Sequence, residues 1–390
     1  MITMVQKQEK QEKRQRRIFV DARSIVLMRE TSCERASALV ASNANLDILA
    51  LELLADSQSN LTAPGPGPGA MRFGTNFENW LLADNAQELI EPLNKLYKTT
   101  FRSGHSDKDG DVTPQARSGE GEEHDALDGR KNIWIKTSER IKDRWTNHEH
   151  GSILVHGILR IPGVERPWYL EPDLLVSPPG CSYYTPFEIK SYERNAFIVN
   201  EQEITAAVVQ SSIYLHCLIY GSDPDGVPYP EITKPRTNYK TGIIFRKNGS
   251  ARYPDLMLAD AQRDLHAIAT ILENIPSDDQ DFKKRFGIDR DEIRSGSLKA
   301  LEHIKATYSD ACTSGCLLAS RCRGEMRKLS TFSAWGDGLR DAYSGYETIP
   351  ELLHNIQSIQ HLDVEDIEDP DLRRMQDIET QIDTLIARAI

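Results

Sequence analysis

The residues best able to do chemistry lie in Tyr169–Lys190, YLEPDLLVSPPGCSYYTPFEIK. Pro172-Asp173 sits in one apolar run, a Pro/Gly-rich turn follows, and a second run ends in Glu188-Ile189-Lys190. Aromatic and branched residues dominate Trp168–Val176 and Tyr183–Ile189, which predicts two strands. Alternation then puts Glu188 and Lys190 on one strand face and Ile189 on the other. If the two strands pair, Asp173 and Glu188 are neighbouring carboxylates that need a cation between them and an ammonium alongside. That is the composition of a hard-metal site with a charge partner. A surface hairpin with ordinary charges is the competing meaning, and other parts of the chain weigh against it.

Three further groups accompany this stretch. Glu78, in Gly74-Thr75-Asn76-Phe77-Glu78, supplies a third carboxylate if its helix packs on the sheet, although an acid early in a helix also answers the helix dipole. Gln210 and Tyr214 stand four residues apart on a helix after Lys190, so their polar tips stack on one face. In isolation such a pair is also ordinary helix surface. Cys312, Cys316 and Cys322 form a C-x3-C-x5-C group in a Gly/Ser-containing turn. Three thiols within eleven residues can converge on one centre, and a tetrahedral or cubane site then needs a fourth ligand. Cys33, in Ser-Cys-Glu-Arg, is the first candidate; Cys181 and Cys217 follow it and read better as small buried hydrophobes. No His completes a zinc-finger spacing, which favours a [4Fe-4S] cluster and leaves zinc as the alternative. His148, His150 and His156 match no compact site and read as scattered polar residues. The DKDGD run at Asp107–Asp111 has its Gly too early for a calcium loop and lacks the closing Glu.

The elements that must position these groups are legible in outline. Phe19–Leu53 reads as short apolar pieces ending in helices. Thr62–Ala70, TAPGPGPGA, breaks any regular structure. Phe73–Tyr97 reads as helix, with Pro92 predicted to kink or split it near Ile90. Ser103–Arg130 is a polar, acidic loop without apolar periodicity, an expected disordered or exposed insertion. Ile133–Trp145 reads as helix, Ser152–Arg160 as a strand, Glu201–Tyr220 as helix and Thr241–Arg246 as a buried strand. Leu256–Leu272 and Ile293–Tyr308 read as helices. The tail from Tyr346 is helical and acidic, with Met375, Ile378, Ile382, Leu385 and Ala389 at coiled-coil spacing. The expected organisation is a basic arm over 1–17, one main domain over 18–344 and the acidic tail over 345–390.

The net charge of −12 is unevenly spread over the 390 residues. Ser103–Arg130 carries eight acids and three bases, and the tail from Tyr346 carries eleven and three. Removing both leaves a near-neutral remainder, while Met1–Arg17 holds six bases against two acids. A basic arm on such a body is compatible with a phosphate backbone, so bulk charge does not exclude nucleic acid. Mean hydropathy is negative and no apolar run reaches membrane-spanning length. The leader has no apolar core, so a cytoplasmic protein is expected, and six cysteines there point to metal or redox chemistry rather than disulfides.

Taken in order, Cys33, the G-x3-E ending at Glu78, Pro172-Asp173, Glu188-Ile189-Lys190, the Q-x3-Y of Gln210 and Tyr214, and the C-terminal cysteines resemble a known pattern. It is that of the RecB-like branch of the PD-(D/E)XK nucleases. More narrowly it is similar to the iron–sulphur members found in CRISPR adaptation and in bacterial helicase–nucleases. The likeness covers Phe19–Arg323. It implies an α/β fold with a PD-(D/E)XK restriction-endonuclease-like core, a mixed central sheet flanked by helices, and a C-terminal cluster-binding segment. It also implies Mg²⁺ or Mn²⁺ held by Asp173, Glu188 and Glu78, where many relatives have His at the last position. Lys190 would orient or activate the attacking water, and Gln210 and Tyr214 would contact substrate or buttress Lys190. Cys33, Cys312, Cys316 and Cys322 would hold the cluster, although the first two C-terminal cysteines are spaced by three residues rather than the commoner two. The implied activity is a metal-dependent DNA exonuclease or end-processing nuclease, in repair, CRISPR adaptation or phage defence. Its expected partners are single-stranded DNA ends and, through the acidic tail, a helicase or defence protein. A staple joining distant parts of the chain is expected to narrow access to the metal site, which favours free single-stranded ends. A catalytically idle scaffold and a zinc-stapled restriction-type endonuclease are the rival expectations.

Overall fold

The computed structural model describes residues 20–44, 68–99, 123–146, 151–164, 168–193, 201–229, 239–246 and 254–307, with scattered positions from 309 to 351. The basic arm, most of the acidic loop and nearly all of the acidic tail lie outside the described residues. The chain divides into two compact units, one of Phe19–Arg29 and Pro66–Ser277, the other of Met1–Ile18, Glu30–Gly65 and Asp278–Ile390. Helix α1 (Ala22–Thr31) carries the chain from one to the other. Its first turn is capped by Asp21, whose carboxylate accepts the Ser24 N–H at 2.8 Å.

The unit containing Pro66–Ser277 is mixed α/β, a five-stranded mixed sheet flanked by helices. Its elements in order are α3 (Pro68–Tyr97) and α4 (Glu123–Thr146), then β1 (Ser152–Val155), β2 (Leu159–Arg160), β3 (Tyr169–Leu170) and β4 (Leu174–Ser177). There follow β5 (Thr185–Glu193), α5 (Glu201–Tyr220), β6 (Lys240–Arg246), β7 (Pro254–Asp260) and α6 (Gln262–Glu273). The main sheet runs β1-β4-β5-β6-β7, and β2 pairs with β3 separately. Only β5 and β6 are parallel, because α5 returns the chain to the starting end between them. The other neighbours in the main sheet are antiparallel.

Strand alternation sends successive residues to opposite faces, and the helices cover both. Phe77, Leu81, Leu89 and Leu93 of α3 pack on Ile153, Leu174, Val176, Phe187 and Ile244. Ala207 of α5 packs on Ile243 and Phe245, the β6 residues of opposite parity. Each fully buried Leu or Phe contributes about 1.5–3 kcal/mol through apolar burial. Gly242 is required by close approach: a Cβ there would lie 2.2 Å from the ring of Phe187, its partner on β5. Helix α4 covers the small hairpin through Trp134, which packs with Ile158 and Tyr169.

Several boundaries differ from the sequence reading, each for a local reason. The run from Trp168 divides into β3 and β4, leaving Pro172 and Asp173 between strands, where a missing N–H costs no ladder bond. Ser152–Arg160 is likewise two strands, broken at His156, whose φ is +53°. Helix α3 is continuous through Pro92, since Leu89 and Leu93 on either side of it are anchored in the core. It also begins inside the Pro/Gly segment, with Pro68 at its first position, where no intrahelical N–H is needed. Glu123–Arg130 is not loop but the first part of α4. Leu256–Asp260 is strand rather than helix, because β6 takes it as a partner.

The other unit is described through α2 (Glu34–Ser42), α7 (Asp279–Phe286), α8 (Arg290–Arg294) and α9 (Leu298–Glu302). The helix expected over Ile293–Tyr308 is interrupted by Gly296 at φ +88°, a left-handed conformation that suits glycine. Arg290 is buried and ties the unit together, donating from Nε to the Ser42 carbonyl at 3.0 Å and from Nη1 to Asp279 at 2.8 Å.

Candidate metal centre

Strand pairing builds the centre. Leu174 opposes Phe187 across β4 and β5, so Asp173 and Glu188 fall at the next position along the same pair. The Ile189 N–H donates to Asp173 Oδ2 at 2.6 Å, which fixes that carboxylate at the mouth of β4. Phe187 and Ile189 belong to the core under α3, and Glu188 and Lys190 have the opposite parity. Lys190 Nζ donates to Glu188 Oε1 at 2.8 Å and to Gln210 Oε1 on α5 at 3.0 Å. Gln210 Nε2 in turn donates to the Tyr214 hydroxyl at 3.2 Å, completing a chain from carboxylate to phenol. Ser211 holds α5 in register by donating to the Pro186 carbonyl at 3.0 Å.

Glu78 on α3 joins from the other side of the pair. One oxygen of Glu78, one of Asp173 and a ring nitrogen of His156 lie within 4.8 Å of one another. His156 stands just beyond β1, its N–H donating to the Asp173 carbonyl at 3.1 Å. Its Nε2 is 3.7 Å from Glu78 Oε1, and its Nδ1 is 3.3 Å from Glu171 Oε1, within ion-pair range but off the line of a hydrogen bond.

The electrostatics are those of a site short of positive charge. Burial, then the charges of Glu188 and Glu78, hold the Asp173 carboxyl well above the ordinary carboxylate range, against the pull of the Ile189 N–H and Lys190. Burial also raises Glu188, opposed by Lys190 and, more weakly, by Arg23. Tyr214 is raised by burial and by the two carboxylates nearby. Glu188 is 4% exposed, and its Oε2 is buried with no hydrogen-bond partner among the described residues. An orphaned carboxylate oxygen costs several kcal/mol unless a cation meets it. The donor set that fits a divalent ion is therefore Glu78, Asp173 and His156, while Glu188, held on Oε1 by Lys190, is not part of that close group.

The other unit gathers the expected cysteines. Cys33, Cys312, Cys316 and Cys322 are all buried and free of disulfides. Burial pushes the Cys316 thiol up to about 12, with Cys312, Cys322 and Cys33 adding to the shift as neighbouring thiols. Cys322 is raised to about 11 by burial, offset in part by Arg35. Three N–H groups already point at sulfur: Thr307 N to Cys33 at 3.3 Å, Ser309 N to Cys312 at 3.4 Å and Arg35 Nη1 to Cys322 at 3.5 Å. Such donors stabilise thiolates bound to iron or zinc. Of the remaining cysteines, Cys217 is wholly buried in α5 and Cys181 is half-buried.

The sequence reading set His156 aside as a scattered polar residue, whereas it lies with Glu78 and Asp173, and it did not single out Glu171, Arg23 and Arg35. The signal for His156 was its place before Gly157 at the end of an apolar strand, where a turn aims a side chain across the sheet end. Glu171 stands two residues before Asp173. His148 and His150 lie outside the described residues. No helix among the described residues is long and apolar enough to cross a membrane. The chain matches no protein-family model and no curated protein sequence significantly.

Proposed function

We propose that this chain is a Mg²⁺- or Mn²⁺-dependent deoxyribonuclease that degrades DNA from single-stranded ends. The observation that carries the reading is the orphaned Oε2 of Glu188, buried beside Asp173 with Lys190 on its other oxygen. A buried and a half-buried carboxylate with a fixed ammonium are suited to phosphodiester hydrolysis. A divalent ion held there would lower the pKa of a bound water and neutralise charge building on the phosphate. Asp173 and Glu188 would hold the ion, Glu78 would add a third carboxylate, and Lys190 would orient the attacking water. Gln210 fixes the Lys190 ammonium, and Tyr214 fixes Gln210. The mixed sheet flanked by helices is compatible with a PD-(D/E)XK core of the RecB-like kind.

In the same reading Cys33, Cys312, Cys316 and Cys322 hold a [4Fe-4S] cluster. Zinc is the less favoured metal, because no His stands at a zinc-finger spacing from the cysteines. The proposed setting is cytoplasmic, with DNA ends as substrate and a helicase or defence protein as partner.

The test is a digestion of linear and circular forms of one single-stranded DNA, side by side with Mn²⁺. Cleavage of the linear form alone, abolished in Asp173→Asn, is the expected result. Equal rates on both would make the enzyme an endonuclease, and no metal-dependent cleavage of either would overturn the reading.

A further inference from the structure

Resting on the reading of Asp173 and Glu188 as cation ligands, we infer that His156 is a further ligand to that cation and makes the centre selective for Mn²⁺ over Mg²⁺. The residue is placed for it. Its backbone is left-handed at φ +53°, a conformation few side chains adopt, and this turns it out of the line of β1. Its N–H is bonded to the main-chain carbonyl of Asp173 at 3.1 Å, so the turn that carries the imidazole is tied to the backbone of that carboxylate. The Thr137 hydroxyl accepts the Ile158 N–H at 3.1 Å and anchors the turn two residues on. The ring is mostly enclosed, its side chain 12% exposed.

The two ring nitrogens have different surroundings. Nδ1 lies 3.3 Å from Glu171 Oε1 and Nε2 3.7 Å from Glu78 Oε1. The Glu171 carboxylate lies within ion-pair range of Nδ1 without a hydrogen bond to it in this arrangement. A carboxylate behind a metal-bound histidine is common, and a metal on Nε2 with the Nδ1 proton turned to Glu171 would complete it. One oxygen each of Glu78 and Asp173 and one ring nitrogen of His156 already lie within 4.8 Å of one another, a grouping a cation would fill. Mg²⁺ favours an all-oxygen, largely hydrated shell. Exchanging one oxygen for an imidazole nitrogen shifts preference toward transition-metal ions. Among the two ions proposed for this centre, that means Mn²⁺.

The experiment uses the full chain with Mn²⁺ alone. Pulsed electron paramagnetic resonance of bound Mn²⁺ reads nitrogen in its first coordination shell, and calorimetry reads Mn²⁺ and Mg²⁺ affinities. His156→Asn is the variant of choice, because Asn tolerates a left-handed backbone, and its melting curve checks that the fold survives. The expected result is an imidazole ¹⁴N modulation in the wild type that is lost in His156→Asn. Mn²⁺ affinity should fall at least about tenfold, with a smaller loss for Mg²⁺. Bound Mn²⁺ without imidazole coupling, or coupling that persists in the variant, would overturn the inference and leave the carboxylate centre standing. Failure of the wild type to bind Mn²⁺ more tightly than Asp173→Asn does would overturn both. A purely structural pairing of His156 with Glu171 would move the melting temperature but produce no coupling, and so counts against the inference.

Discussion

Asp173 carries the cost of crowding carboxylates together. Its carboxyl is buried beside Glu188 and Glu78, which raises its pKa above the value in the unfolded chain. The folded protein therefore keeps a proton there that the unfolded chain releases. That contribution to stability is full below the unfolded pKa, about 4, and is lost as pH rises through the higher folded value. In Asp173→Asn the dependence disappears, while the Ile189 N–H keeps an acceptor. The metal-free variant should melt above wild type at neutral pH, and the gap should close as pH falls toward the ordinary carboxylate range; a gap flat in pH would count against the assignment. Mn²⁺ at about 100 times its dissociation constant should stabilise wild type by about 2.7 kcal/mol and the variant hardly at all. Lys190→Ala is expected to differ in kind. It should retain Mn²⁺ yet lose about a thousandfold in cleavage rate, some 4 kcal/mol of transition-state stabilisation. Near-wild-type turnover in Lys190→Ala would remove Lys190 from the chemistry. Glu188 and Lys190 were legible as neighbours because alternation alone puts them on one face, whereas Asp173 and Gln210 join them through the β4–β5 pairing and the packing of α5. His156 was not, since its position depends on a left-handed turn and on a bond to a carbonyl seventeen residues away.

At the scale of elements, α5 and the β5–β6 pair form the frame on which Lys190 and Gln210 meet, and Gly242 sets how closely that frame packs. A methyl group at Gly242 would fall on the buried Phe187 ring, and Phe187 immediately precedes Glu188. Gly242→Ala should therefore cost about 1–3 kcal/mol, as overpacked cores do, and be read as a lower urea midpoint at unchanged slope. Wild-type stability in that variant would mean the ring has another place to go. Helix α5 was legible because a long apolar run starts at acidic Glu201 and is followed by the polar turn from Gly221. Strand β7 was not: Leu256 and Leu258 alternate, but the helix that follows shares their apolar character, and only pairing with β6 separates the two. Pro92 misled in the opposite direction, because the core on either side of it supports a helix that local chemistry alone would bend.

Across the whole molecule, the two centres belong to different compact units. The carboxylates and His156 lie in the unit spanning Pro66–Ser277, and the four clustered cysteines lie in the unit that combines Glu30–Gly65 with Asp278–Ile390. The cysteine unit is assembled from distant parts of the sequence, with Thr307 donating to Cys33 Sγ across 274 positions. Arg35 reinforces that closure from within the protein, bonding the Ile304 carbonyl at 3.1 Å and Glu325 at 2.8 Å. A metal cluster bound only by the folded state adds its binding free energy to that closure. Cys33→Ser and Cys322→Ser should each lose iron and melt earlier, whereas Cys181→Ser and Cys217→Ser should keep the metal. Removing the cluster should nevertheless leave the carboxylate centre intact, because all of its groups are packed within the other unit. Mn²⁺ affinity in Cys33→Ser should then stay within about twofold of wild type, the agreement expected of independent sites. Unchanged iron in Cys33→Ser would place the fourth ligand elsewhere. A collapse of Mn²⁺ binding alongside the iron would show that the cluster does more than close its own unit, and would tie cleavage to the redox state of the cell.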